Sequence, residues 1–181
     1  MKLGSMAGPL GSSQNYICHI ALSNCTDYFD LKMKHEEENR SSTSDKYKEF
    51  RYYLNAIESL NNIIDYFYFE NEPLISHSNI NEFRTAVHNK YPVLKKVADI
   101  ANAYKHCVRE QRGGNKNSNL PWAKDLQKPE IIIDIDVSDM NVDVSFNFVW
   151  PIQRQEETIE LAWRFWFDYY NSPTPQEFIN A

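Results

Sequence analysis

The sequence predicts a mainly α-helical protein, a bundle of four or five helices with an antiparallel β-hairpin inserted before the C-terminal helix. Apolar residues recur every three or four positions over most of the chain, which is the period of an amphipathic helix. Only the segment of about 130–150 alternates apolar and polar residues, as a half-buried strand does. The order is helices, hairpin, helix, so no parallel sheet is expected.

Composition sets limits on the class of protein. The chain has 181 residues, of which 42% are hydrophobic and 14% aromatic, enough for one domain with a sizeable core. Its formal charge of −6 argues against a broad nucleic-acid-binding surface. An odd count of three cysteines without framework spacing favours a reduced, cytoplasmic protein. No apolar run approaches the ~20 residues of a membrane span, so no membrane partner is expected.

Residues 1–13 are interpreted as an added, disordered leader. The stretch Gly-Pro-Leu-Gly-Ser at 8–12 resembles what a tag-cleaving protease leaves behind. Residues 14–181 are then predicted to form a single helical-bundle domain.

The N-terminal half predicts two long helices. The first covers about 15–34 and is followed by a charged, small-residue stretch at 35–44, interpreted as a solvated helix end and a loop. Ser44 is the predicted N-cap of the second helix, and Glu72-Pro73 ends it. An apolar stripe marks that helix over about five turns: Phe50, Leu54, Ile57, Leu60, Ile64, Phe67 and Tyr68.

The later elements are shorter. A third helix is predicted at about 81–89, and a fourth begins at Pro92 and runs to about 110, where a Gly-Gly pair follows. The hairpin at about 130–150 has one polar and one apolar face, and the apolar face should pack on the helices because an isolated hairpin is marginal in water. An aromatic-rich helix at about 153–170 completes the domain.

Four polar residues share one face of the fourth helix: Asp99, Asn102, His106 and Arg109. Their spacing of three, four and three puts them on one side, and the apolar positions of the same helix lie on another. A second polar stripe at helical period lies on the preceding long helix: Arg51, Asn55, Glu58, Asn62 and Asp65. The two stripes can face each other across a cleft.

Such a cleft could cut a phosphodiester. His106 could act as general base or acid towards a ribose 2′-hydroxyl, with Lys105 or Arg109 stabilising the charged phosphorane and Asn102 orienting the base. Four residues are then the candidate substrate-binding set: Arg51, Asn55, Glu58 and Asp99. The alternative is structural, with Asn102 and His106 tying two helices together. No metal-ligand set and no cofactor motif is found.

The run Asp99-Ile-Ala-Asn-Ala-Tyr-Lys-His106 resembles a group of uncharacterised bacterial helical proteins with an Asp-x-x-Asn-x-x-Lys-His motif, a following hairpin and a late Phe-Trp pair, here Phe165-Trp166. More distantly, the layout is similar to the HEPN superfamily. That resemblance implies a bacterial defence or toxin–antitoxin protein, in many members a metal-independent endoribonuclease whose homodimer forms a composite site.

The chain departs from the HEPN catalytic signature, an Arg and an adjacent polar residue followed four to six residues later by a His. Asn102 stands where the Arg belongs, and Arg84-x-x-x-His88 is one residue too short and lies on the preceding helix. Two functions therefore stay open. One is an RNA-cleaving enzyme with an accessible His106. The other is a non-catalytic homodimeric interaction module with His106 buried, an exposed aromatic patch on 159–170 and a partner protein.

Overall fold

A computed structural model describes residues 10–40, 42–105, 130–138, 141–149 and 156–171. Side chains are described over 10–40, 42, 44–103 and 157–171. These last ranges form the helical body of the protein.

The first helical rod has three parts: α1 (Ser13–Tyr16), a π-helical turn (Ile17–Ala21) and α2 (Leu22–Glu37). Ser12 caps its start by accepting a hydrogen bond from the backbone N–H of Asn15, so Ser12 and Ser13, which were predicted to be disordered, belong to the helical body. Asn39, with a left-handed φ of 50°, lies just after its end. The π turn adds a residue to the helical repeat without breaking the rod.

Helix α3 (Thr43–Asn71) is the central helix and contacts every other one. Its N-cap is Ser42, whose hydroxyl accepts the backbone N–H of Asp45 at 3.2 Å. The predicted cap, Ser44, lies two residues inside the helix. The sequence offers a run of serine and threonine at this point, so propensity alone could not choose among them.

Three helices complete the body after a 3₁₀ turn at Glu72–Leu74. They are α4 (Ile80–Lys90), α5 (Pro92–Lys105) and α6 (Glu156–Asn171). The Asn79 side chain caps α4 by accepting two backbone N–H groups. The predicted continuation of α5 to about 110 lies outside the described residues.

The core is formed by apolar stripes of these helices around α3. Tyr53, Ile57 and Ile63 of α3 are fully buried, as are Ile100 of α5 and Trp166 of α6. The predicted α3 stripe is confirmed at six positions, all buried: Leu54, Ile57, Leu60, Ile64, Phe67 and Tyr68. Phe50 is only partly buried at the margin of the core.

Two strands lie elsewhere in the sequence, β1 (Glu130–Ser138) and β2 (Asn141–Val149). They pair antiparallel in a two-stranded sheet, with Glu130 opposite Val149 and Ser138 opposite Asn141. Among the described residues, each has the other as its sole strand neighbour. Their backbone pairing is what the structure describes of them.

The predicted fold class needs correction. Within the helical body, 88% of residues are helical, in five helices if α1, the π turn and α2 are counted as one rod, and there is no β-strand. The prediction of a helical bundle fits, but the prediction that its fold includes a hairpin is wrong for this body. The physical reason is that the five helices already bury each other's apolar stripes around α3, so no strand face is needed to complete the described core.

Candidate functional site

Helix α5 holds the motif at the edge of the core. Leu94, Val97 and Ala101 are buried against the other helices, while Asp99 and Asn102 are half-buried on the adjoining side. Because apolar and polar positions follow the same helical period with an offset, burial of one stripe leaves the other at the margin. The predicted polar edge of α5 is therefore present at these two residues.

The rest of the predicted catalytic group lies beyond what the structure describes. Lys105 is the last residue of α5, and its side chain falls outside the described part. His106 and Arg109 lie outside the described residues altogether. Their predicted roles therefore remain predictions.

The α3 residues that were predicted to line the other side of the cleft differ in their exposure. Arg51 and Asn55 are exposed on α3, and the Arg51 guanidinium carbon lies 5.5 Å from the ring centroid of its neighbour Tyr52. Glu58 is half-buried, and its Oε1 accepts a hydrogen bond from the Asn62 amide at 3.4 Å. The substrate-binding roles of Arg51, Asn55 and Glu58 stay predictions.

The last residue of that α3 stripe contacts a different helix. Asp65 accepts two hydrogen bonds from Arg84 of α4, from Nε to Oδ1 at 2.7 Å and from a terminal nitrogen to Oδ2. This two-pronged contact matches the planar guanidinium to the carboxylate. It ties α3 to α4 directly beside α5.

A titratable cluster forms where α4 meets α5. On α5, the Lys95 ammonium donates to Asp99 at 2.6 Å. On α4, burial lowers the pKa of His88. The negative charge of Asp99 opposes this shift, and the positive charges of Arg84 and Lys95 reinforce it. The pKa of His88 is lowered on balance, which favours the neutral imidazole at neutral pH.

His88 is the histidine that sequence reasoning underweighted. Its Nε2 is buried and makes no hydrogen bond within the described part of the chain. Arg84 and His88 are four residues apart, a spacing that puts them on one face of α4. The sequence shows that spacing, but not that Arg84 would bind Asp65 of α3 or that the charges of Asp99 and Lys95 on α5 would act on His88.

A second buried histidine, His35, joins α2 to α3. Its side chain is 3% exposed, and its Nδ1 lies 2.7 Å from the Glu49 carboxylate. Asp45 lies 3.8 Å from its Nε2. The interpretation of 35–44 as a solvated end is therefore wrong at position 35, because the imidazole is buried inside the bundle, where the Glu49 carboxylate of α3 is its hydrogen-bond partner. A cavity of about 400 Å³ opens beside it.

Other classes of site are not seen in the described ranges. No group of three or more His, Cys, Asp or Glu side chains there is placed to hold a metal ion. Among the same residues, none of the helices combines the length and apolar character that a bilayer crossing requires.

Comparison of the chain with protein families, with curated proteins and with solved structures found no match in any of the three. Any functional conclusion must therefore come from the site itself.

Proposed function

We propose that the protein is a HEPN-like helical-bundle ribonuclease of a bacterial defence or toxin–antitoxin system, acting in the cytoplasm without a metal at the polar edge of α5. The observation that carries the proposal is the cluster at this edge. There, the half-buried imidazole of His88 lies within electrostatic reach of two cationic side chains, Arg84 and Lys95, and of the motif residue Asp99. An all-helical body is also what the HEPN resemblance implies.

The cluster has groups that RNA cleavage needs. Arg84 and Lys95 are cations that can attract a phosphate, although each is already bound to a carboxylate in the free protein. Asp99 and Asn102 lie on the same edge of α5, and the sequence spacing extends that edge to His106. The proposed phosphate position lies along this edge, between α4 and the end of α5.

The proposed reaction uses the ribose as its own nucleophile. A neutral imidazole, assigned to His106, removes the proton of the 2′-hydroxyl, and the oxygen forms a bond to phosphorus. Lys105 or Arg109 stabilises the charge on the pentacoordinate phosphorane. The bond from phosphorus to the 5′-oxygen breaks and that oxygen is protonated, leaving a 2′,3′-cyclic phosphate and a 5′-hydroxyl.

The test is cleavage of a labelled RNA in EDTA by wild type, His106→Ala and His19→Ala. His19 is exposed on the π turn, so its substitution is a matched control for loss of one imidazole. Loss of an acid–base group should lower the rate by roughly 10²-fold or more, with an unchanged melting temperature, while His19→Ala should cleave like wild type. Absence of cleavage by wild type would overturn the proposal.

A second candidate function is the non-catalytic homodimeric interaction module, which the outer side of α6 favours. Phe167 is 45% exposed and stacks on the half-buried Trp163, with ring centroids 5.1 Å apart. Leu161 and Tyr170 are also exposed on α6. Exposed aromatic residues grouped on one helix are typical of protein-binding surfaces.

The interaction module predicts a dimer that depends on α6. Phe167→Ser should shift the mass measured by light scattering from dimer to monomer. The exposed apolar residue Met33 of α2 supplies the control, since Met33→Ser removes a comparable surface group elsewhere. A monomeric wild type, or equal effects of the two substitutions, would argue against this function.

A further inference from the structure

A groove lies where α1, the end of α3 and the end of α6 meet, and none of its lining residues belongs to the polar motif of α5. Its volume is about 290 Å³. Aromatic rings and one carboxylate dominate its lining: Phe67, Tyr169, Tyr170 and Glu70. Ile17 of the π turn, which is fully buried, adds apolar surface to it. Within the described residues, Glu70 is the one charged residue in the lining.

Four donor groups of the groove, from Ser13, Gln14 and Asn71, are already engaged inside the protein. The backbone N–H of Ser13 donates to the Glu70 carboxylate at 2.9 Å, and the Ser13 hydroxyl donates to the same oxygen. The Gln14 amide donates to the Tyr170 hydroxyl, and the Asn71 amide donates to the carbonyl of Phe67 at 2.9 Å. An anion would therefore have to displace internal hydrogen bonds.

The surfaces that the groove offers are instead suited to positive charge. The face of an aromatic ring carries negative potential and attracts a cation, most strongly where water is partly excluded. Phe67 is buried beneath Tyr169, whose ring meets it edge to face at 5.9 Å, so the half-buried Tyr169 and the exposed Tyr170 are the rings that a ligand can reach. Glu70 and Tyr169 line the same groove. Burial raises the pKa of Tyr169, and the nearby charge of Glu70 adds to that rise.

We propose that the groove formed by Phe67, Glu70, Tyr169 and Tyr170 is a binding site for an alkylammonium head group. The rings of Tyr169 and Tyr170 contact the alkyl groups of the cation above the buried Phe67, and the Glu70 carboxylate, held by Ser13, neutralises its charge. The head group can belong to a free small amine or to a methylated lysine side chain. The overall charge of −6 adds a weak general attraction for either.

The experiment is a ¹H–¹⁵N NMR titration of the full chain with choline chloride, and with 3,3-dimethyl-1-butanol as a neutral molecule of the same shape. Choline should shift the amides of α1, the end of α3 and α6 with saturation at roughly millimolar concentration, and the neutral alcohol should bind at least ~5-fold more weakly. A third arm uses acetylated trimethyllysine amide. Tighter binding than choline would identify a protein side chain as the ligand, and weaker binding a free amine.

Substitutions separate the charge from the rings. Glu70→Gln keeps the shape and should weaken choline binding ~5- to 10-fold, and Tyr170→Leu should weaken it ~3- to 5-fold. Tyr170→Phe keeps the ring and should bind within about twofold of wild type. Glu160→Gln removes an exposed carboxylate elsewhere on α6 and is the control for net charge.

Three results would overturn the proposal: no saturable shift with choline, equal binding of choline and the neutral alcohol, or equal effects of Glu70→Gln and Glu160→Gln. Each is readable in the folded protein, because the amide spectrum reports folding in the same experiment. The titration does not measure RNA cleavage, so its outcome is independent of whether the proposed ribonuclease function is correct.

Discussion

The Asp65–Arg84 contact should contribute measurably to stability because it joins two helices with good geometry. It has two hydrogen bonds, and its side chains are only 27% and 37% exposed. The perturbation is a double-mutant cycle of Asp65→Ala and Arg84→Met, in which methionine keeps an apolar stem without the guanidinium. The cycle isolates the coupling between the two side chains from their other contacts.

The expected magnitude follows from partial burial. Two unit charges about 4 Å apart at an effective dielectric constant near 20 interact by about 4 kcal/mol. Solvent screening and the ordering of two side chains remove most of that value for groups as exposed as these. The coupling should therefore be about 1–1.5 kcal/mol, at the upper end of the range for a typical intramolecular hydrogen bond.

Urea unfolding of wild type, both single mutants and the double mutant measures the coupling. The matched control is the Glu160–Arg164 pair of α6, a contact of 2.5 Å whose side chains are 51% and 65% exposed. Its coupling should be about 0.3–0.5 kcal/mol, as for other pairs four residues apart on a helix. A coupling for Asp65–Arg84 no larger than that of the control would refute the reasoning.

Three further predictions concern buried groups. Burial raises the pKa of the Cys25 thiol to about 12, so iodoacetamide at pH 8 should label Cys25 only after unfolding and should label the half-buried Cys18 faster. Because the pKa of His88 is lowered below 6.5, the unfolded chain binds its proton more readily. The contribution of His88 to the free energy of unfolding should therefore be full above pH 6.5 and decline below it. The NMR titration of its imidazole should have a midpoint under 6.5. Trp166→Ala should lower the free energy of unfolding by about 3–5 kcal/mol in a urea melt, and Trp166→Phe by less.

The helices were predictable because their signals are local. The apolar stripe of α3 repeats within one element, and six of its seven predicted members are buried. Pro92 likewise begins α5 as a proline at the first helical position should. The prediction that a hairpin forms part of the helical body failed for a different reason: alternation predicts local strand geometry, as seen in β1 and β2, but not whether the helices need a strand face to complete their core.

The site was predictable only in outline. Helical spacing places Asp99 and Asn102 at one edge of α5, and the structure has both half-buried there. Partners distant in sequence were not predictable, because Arg84 lies 19 residues from Asp65 and no local pattern links them. The burial of His35 was not predicted for the same reason. Its sequence neighbours are charged, and its partner, the Glu49 carboxylate, lies on the next helix.

The central claim, RNA cleavage that uses the ribose 2′-hydroxyl without a metal, is tested most directly by the chemistry of the products. Wild-type protein in EDTA is incubated with an RNA and with the same sequence carrying 2′-deoxy sugars, and the ends are identified by mass spectrometry. The account predicts 2′,3′-cyclic phosphate and 5′-hydroxyl ends from the RNA and an intact deoxy substrate. An uncut RNA, or equal cleavage of both substrates, would contradict it.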